Sequence, residues 1–421
     1  MKKTILALIV IMLLLSTAQS VNFVSSNFFP PIPPINSVYI RADGSIEPST
    51  APITREGNVY TLTGDLTNTT IKIERDDIIF DGAGYSIIGN DIQFHSGVDI
   101  SNRTGITIRN LVIKQFGTGI LMDNASKNTL KENKITTYQA FSLNSADNNI
   151  IACNRAVNLD YGIIGSGSYN QITDNNFSSE SNGGYARMGI SLQSSNNNTV
   201  SRNNISHGIG INLADSHYNT ISNNTLTGGN TELSSTGILL TRSSNNQIFC
   251  NIIKEKTSVS STGLHLSDES ANNLVSENLF EKNTCAVALC YYSVEEARPE
   301  NVYNNTFYRN SFIDNVNNVR IAKGTPNNYW DNGQQGNFWS DYQGIDSNND
   351  GNGDAPYIIG ENNQDNYPLM TPYDVEHRVV VLPQNEAFLF MLVIAVSAII
   401  AVGTGLFIYH KAYLRRVRQH E

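Results

Sequence analysis

Residues 197–205 read NNTVSRNNI. Asparagine is a weak former of both helix and strand. Here it nevertheless brackets a valine and an isoleucine at regular spacing. The phrase is an Asn, an apolar residue two later, an Asn five later and an apolar residue seven later. It recurs as Asn128, Leu130, Asn133, Ile135; as Asn149, Ile151, Asn154; and as Asn170, Ile172, Asn175, Phe177. The opening stretch supplies Asn198, Val200, Asn203, Ile205. Copies follow at Asn219–Leu226, Asn246–Ile253 and Asn273–Phe280, and a partial one has Val302, Asn305, Phe307. The second Asn advances in steps of 21, 21, 28, 21, 27, 27 and 27 residues if Asn305 closes the series.

A repeat of ~20–50 residues marks a stacked architecture. The apolar runs are short and alternate at period two, so they read as strands. Most copies follow another short strand that opens on glycine, as at Gly119, Gly189, Gly210, Gly237 and Gly263. Short strands joined by tight polar turns predict an all-β chain, a right-handed parallel β-helix. Its coils would stack ~4.8 Å apart. An Asn at the same corner of each coil can then donate its amide to the next Asn carbonyl, satisfying polar groups that the turn buries. Asn also tolerates the left-handed backbone of a sharp corner. The competing reading, plain solvent-facing turns, does not explain why the flanking apolar residues keep register.

Both ends of the 421-residue chain are hydrophobic. Residues 1–20 have Lys2 and Lys3, an apolar run and a small-residue stretch, the pattern of a secretory signal. Residues 387–409 carry no charge and would span ~34 Å as a helix, enough to cross a bilayer. The tail 410–421 is basic, which places it in the cytoplasm and the bulk of the chain outside the cell membrane. Sequons begin at Asn68, Asn102, Asn124, Asn176, Asn197, Asn204, Asn223 and Asn304; those within ladder turns, such as Asn204, are poor candidates for glycans. Cys153 and Cys250 sit just before ladder asparagines and read as small buried hydrophobes too far apart to bridge; Cys285 and Cys290 lie at opposite ends of one strand. A net charge of −10 with no basic stripe outside the tail argues against nucleic acid.

Residues 21–37, with NFFPPIPPI, read as a flexible arm, and 38–68 as an N-terminal cap. The coils run over 69–323, starting with TTIKIERDDIIFDGAGYSIIG (69–89). Residues 324–374 break the period and gather Tyr329, Trp330, Phe338, Trp339 and Tyr342, suited to closing the last open coil. Residues 375–386 link to the membrane helix.

The coils together with NFWSDYQGIDSNNDGNGDAPYIIGENNQDNYPLM (337–370) resemble NosD-type right-handed parallel β-helix proteins. The stretch VYIRADGSIEPSTAPI (38–53) is similar to the leading segment of archaeal surface members of that group. The resemblance implies the pectin-lyase-like fold, in a class described as carbohydrate-binding or sugar-hydrolysing. By name it also implies copper delivery for nitrous-oxide reductase. Fold alone does not set function.

Several constellations could carry chemistry. In DSNNDGNGD (346–354), Asp346, Asn348 and Asp350 occupy loop positions 1, 3 and 5, Gly351 turns the chain, and the Asn352 carbonyl and Asp354 fall at positions 7 and 9. That spacing curls oxygens round a Ca²⁺ ion. Position 12 is Tyr357, so a bidentate carboxylate would come from Glu361 or Asp365. Copper needs clustered imidazole or thiolate ligands, and the seven histidines form no pair at ligand spacing. Asp215, Arg242 and Asp268 fall on one column and could stack, as an ion ladder or as part of a sugar-cleaving site. The longer repeats insert residues at one corner, in 178–188, 227–236 and 254–262, and stacked insertions often build a binding face. Tyr185, Arg187, Glu232, Lys254 and Lys256 are the ligand-contact candidates there.

The expected protein is a membrane-anchored extracellular β-helix with a binding or structural role, toward a polysaccharide or glycan, with Ca²⁺ in its cap. The alternatives are a carbohydrate-active lyase or hydrolase and a NosD-like metal-maturation accessory. No catalytic signature is found.

Overall fold

The computed structural model describes residues 35–375 apart from 91–94, 158, 180–186, 229–234, 259, 293–296, 300 and 361. Three sheets of 13, 12 and 12 strands, parallel except where Ile46–Glu47 and Ile53–Glu56 pair antiparallel at the N-terminal end, wind round one apolar core. The chain visits them in rotation. In the quoted repeat, Met188–Gln193 lies in sheet 1, Thr199–Ser201 in sheet 2 and Asn204–His207 in sheet 3, before Ile209–Ala214 returns to sheet 1. This is the parallel β-helix expected from the repeat, and the described residues contain no helix.

Register is uniform, so like residues stack. Ile172, Val200, Ile221, Ile248 and Val275 form one inward column on sheet 2. All five are fully buried. The glycines that open the sheet 1 strands answer to crowding. A Cβ on Gly210 would stand 2.5 Å from the Gly237 carbonyl, and one on Gly237 would stand 2.4 Å from that of Gly263.

The asparagines form two continuous buried ladders. At the first corner, between sheets 1 and 2, Asn198 Nδ2 donates to Asn219 Oδ1 at 3.0 Å and Asn219 Nδ2 to Asn246 Oδ1 at 3.1 Å. At the second corner, Asn175 Nδ2 donates to Asn203 Oδ1 and Asn203 Nδ2 to Asn224 Oδ1, both at 3.0 Å. Each Oδ1 also accepts a backbone N–H from the preceding coil, as from Asn175 N to Asn203 Oδ1 at 3.0 Å. A third ladder at the corner between sheets 3 and 1 runs through Asn283 and Asn315, 3.1 Å apart.

Two local expectations are corrected. The ladder asparagines do not take the left-handed backbone; the residue before each does, among them Lys127, Cys153, Tyr169, Asn197, Arg202 and Tyr218, with φ between 55° and 60°. The corner therefore puts an outward residue at positive φ and turns the next side chain inward. Cys153 is accordingly exposed rather than buried, whereas Cys250 is buried with its Sγ 3.5 Å from Glu277 Oε2. Asn204 is likewise outward and exposed at the start of its strand. Second, Asn305 belongs to the first ladder. Asn273 Nδ2 donates to it at 2.9 Å, and Asn278 continues to Asn310. A 32-residue spacing separates each pair because the excursion after Cys290 lengthens that coil.

Residues 38–68 supply strands to all three sheets, Asn36–Ile40, Val59–Leu62 and Leu66–Thr67 being paired with the coil that follows. At the far end, Trp330 stacks on Phe307 at 4.3 Å, and Trp339 lies between Phe312 and Tyr357, each at 4.2 Å. Both tryptophans are buried, while Tyr329 is 56% exposed and joins the closure through its backbone, which bonds Asn305 and Phe307. The first ladder ends on Asn363, which accepts from Asn328 N and Trp330 Nε1. The second ends on Asp365, whose Oδ2 accepts from Asn337 N at 2.7 Å and Trp339 Nε1 at 2.9 Å. Burial pushes the Asp365 carboxyl up to about 6 against the pull of these donors.

Candidate functional site

The third corner, where the insertions fall, gathers the most unusual side chains. Tyr138, Asp160, Arg187 and Gly208 occupy equivalent positions on successive coils, each just before its sheet 1 strand. Asp160 N bonds the Tyr138 carbonyl, Met188 N that of Asp160 and Ile209 N that of Arg187. Tyr161 opens the strand after Asp160, and its ring meets Tyr138 edge to face at 5.5 Å. Asp160 Oδ1 pairs with Arg187 Nε at 2.5 Å, and Arg187 also donates to Ser179 Oγ at 3.2 Å. Asp160 and Arg187 keep 29% and 17% of their side-chain surface in solvent, so the ion pair is reachable without being freely hydrated. The Tyr138 hydroxyl is held above its ordinary range by burial first, then by Tyr161 and Asp160. Such a platform joins aromatic surface to a planar charge pair that can donate to and accept from hydroxyl groups.

The corner also corrects one ligand-contact assignment. Lys256 is fully buried, so it meets no ligand at the surface. It stands at the head of the third ladder, its N–H donating to Asn283 Oδ1 at 3.1 Å. Its ammonium runs back along the axis to the carbonyls of Thr227 at 2.6 Å and His207 at 2.9 Å. Burial lowers Lys256 to about 7. The His207 ring is buried too, and neither nitrogen meets a hydrogen-bond partner. Burial, then the charge of Lys256 and to a lesser degree that of Arg187, lower it to about 3, against the pull of the Phe177 backbone. Of the three candidates among the described residues, Arg187 is the one that lines the platform. Lys254 is half-buried at the end of Ile252–Lys254. Tyr185 and Glu232 lie outside the described residues. Sequence spacing did not single out Tyr138, Asp160, Tyr161 or His207; the column of residues preceding the sheet 1 strands was the signal that could have found them.

Other expectations are located as follows. Arg242 grips Asp215 through two bonds of 2.7 and 3.0 Å and reaches Asp268 at 3.6 Å, so the Asp–Arg–Asp stack exists, solvated on the first corner. Hydrogen bonding to Arg242 holds Asp215 below the usual carboxylate range. In the 346–354 loop, Asp346 accepts from Asp350 N at 3.2 Å and Gly351 N at 2.9 Å, and Asn348 Oδ1 accepts from Asp350 N at 3.0 Å. Asp350 accepts from Asn352 N at 2.8 Å, and Asp354 closes the loop by donating its N–H to the Ile345 carbonyl at 2.8 Å. Gly351 takes φ +90°, and Asn352 Oδ1 is buried without a partner. Asp365 is committed to the ladder end and does not complete this loop, and Glu361 lies outside the described residues. Among the described residues no three His, Cys, Asp or Glu side chains come together as a metal site, the aspartates of the 346–354 loop included. His377, His410 and His420 lie outside them, as do residues 1–20 and 387–409. No helix of the described residues is long and apolar enough to cross a membrane. A groove of ≈ 470 Å³ lies at the second corner of the early coils, lined by Asp81, Asn110, Glu132 and Lys134.

Fold and ladders define a right-handed parallel β-helix with closed ends. The model of the family described as periplasmic copper-binding protein (NosD) matches residues 45–187 and again 181–344, more than half the chain, and the protein belongs to that family. Among curated proteins, no sequence matches. Similar solved structures include a variant of the periplasmic alginate epimerase AlgG, 13% identical, covering 70% of this chain and 82% of that one at a TM-score of 0.41. A tailspike protein variant of E. coli bacteriophage HK620 in complex with pentasaccharide is 14% identical, covering 68% and 58% at 0.42. The catalytic domain of a GH87 α-1,3-glucanase in complex with tetrasaccharides is 12% identical, covering 66% and 61% at 0.37.

Proposed function

We propose that this chain is an exported β-helix module, held at the cell membrane by residues 387–409, that binds a polysaccharide or glycan on its third corner. The observation that carries the reading is the half-buried platform of Tyr138, Tyr161, Asp160 and Arg187. Sugar rings present an apolar face to aromatic side chains and hydroxyls to charged pairs. Asp160 is engaged by Arg187, which suits it to accept sugar hydroxyls and not to deliver a proton; this favours binding over cleavage. Calcium would draw together Asp346, Asn348, Asp350, the Asn352 carbonyl and Asp354, whose carboxylates do not converge on one point in its absence, and would fix the C-terminal cap, a structural role.

The test is retention of the full-length, detergent-solubilised protein on immobilised polysaccharides, beside its Arg187→Ala and Tyr161→Ala variants. Retention weakened about tenfold in both, without product release, is expected. Equal retention of all three proteins would dismiss the site, and released oligosaccharide would make the protein an enzyme. In parallel, a chelator should lower the melting temperature of the parent and leave Asp346→Ala unmoved. The membrane assignment predicts that a chain ending before residue 387 leaves the membrane fraction.

A further inference from the structure

The left-handed position before the first-ladder Asn is a column of its own. Along successive coils it holds Lys127, Asn148, Tyr169, Asn197, Tyr218 and Asn245, and it holds Asn again at 272 and 304. Asn suits this backbone, and a bulky aromatic there is sterically disfavoured. Beside Lys127, Tyr169 and Tyr218 are the departures and the aromatic ones, and both lie largely in solvent, 60% and 62% exposed. Neither contributes to the core, so packing does not account for them. One coil separates the two, which sets them ~9.6 Å apart along the axis. That is about the reach of two hexoses joined in an extended chain.

The ground beside them is polar. Asp215, three residues before Tyr218, is held by Arg242, and the Arg also reaches Asp268. Glu269 adds another carboxylate to the same corner. Three carboxylates against one guanidinium leave the strip acidic, which repels uronate or sulfated chains.

We propose that this edge is a second glycan site, in which Tyr169 and Tyr218 stack on alternate sugars of a neutral, linear polysaccharide lying along the solenoid axis. It stands on a different corner from the third-corner platform and does not depend on it. The experiment uses the full-length protein with soluble cello-, xylo- and manno-oligosaccharides of four to eight sugars, and with alginate oligomers as the anionic control. Tyr169→Asn and Tyr218→Asn restore the residue the column otherwise carries, so both variants fold and their urea midpoints stay equal to the parent's or rise. Each should bind a neutral oligosaccharide roughly tenfold more weakly, and the double variant should lose the site. The same series is repeated in an Arg187→Ala background, where the loss on changing the tyrosines should persist, which separates this site from the third-corner reading. Unaltered affinity in the double variant overturns the proposal. So does alginate bound in preference to the neutral chains. A glycan found by mass spectrometry on Asn197, between the two tyrosines, would also overturn it, since the chain's own sugar would then fill the strip.

Discussion

Asn203→Ala and Asn204→Ala change neighbouring asparagines and should differ greatly. Asn203 makes four bonds in the second ladder. It donates to the Ile172 carbonyl at 2.8 Å and to Asn224 Oδ1 at 3.0 Å, and it accepts from Asn175 N and Asn175 Nδ2 at 3.0 Å. Truncation leaves the buried Asn175 N–H with no acceptor, at a cost of about 2 kcal/mol, and removes three further bonds worth ~1 kcal/mol each. The expected loss is therefore about 5 kcal/mol, a large part of the stability of an ordinary domain. Asn204 points outward, and its truncation should stay within about 0.5 kcal/mol. Urea midpoints of the two variants against the parent decide the matter, with amide exchange at Asn175 as the local readout. Because coils contact only their neighbours, exchange should quicken around residues 172–175 and 224 before it does in the caps. Equal midpoints for the two variants would refute the claim that the ladder holds the coils together.

The buried ionisable groups give three further expectations. His207 is lowered to about 3 from 6.5, so the unfolded chain takes the proton first as pH falls; stability should drop from pH 6.5 toward 3 by up to about 5 kcal/mol, and His207→Gln should flatten that limb in acid denaturation. Lys256 is lowered to about 7 from 10.5, so the unfolded chain binds the extra proton between those values and stability should rise from pH 7 to 10.5; Lys256→Met should abolish the rise in midpoints measured against pH. Asp365 is raised to about 6 from 3.8, so the folded chain holds the extra proton and stability should fall by about 3 kcal/mol as pH rises from 3.8 to 6. Asp365→Asn, which keeps an acceptor for Trp339, should remove that fall and melt higher than the parent at pH 7.

The quoted repeat by itself determined the solenoid. Asparagine at fixed offsets from apolar residues specifies a corner, and a corner repeated along the chain can only be satisfied by stacking, because each amide needs the next coil's carbonyl. The aromatic closure was legible for a similar reason: the period fails where Trp330 and Trp339 appear, and an open coil needs a lid. The direction a side chain takes at a corner was not legible. Lys256 reads as a surface lysine in an insertion, yet a shift of one residue past Glu255, which takes the left-handed backbone, turns it inward to carbonyls as far as 49 positions back. Asn305 fell into the wrong ladder because the preceding coil is longer, and loop length is weakly constrained by local sequence. The candidate platform had the same fate. Tyr138, Asp160 and Arg187 share no motif and stand at unequal spacings. They become neighbours only because parallel pairing brings Gln139, Tyr161 and Met188 into one register. Local chemistry therefore fixed the repeat, whereas registry between coils, a non-local property, decided which side chains meet.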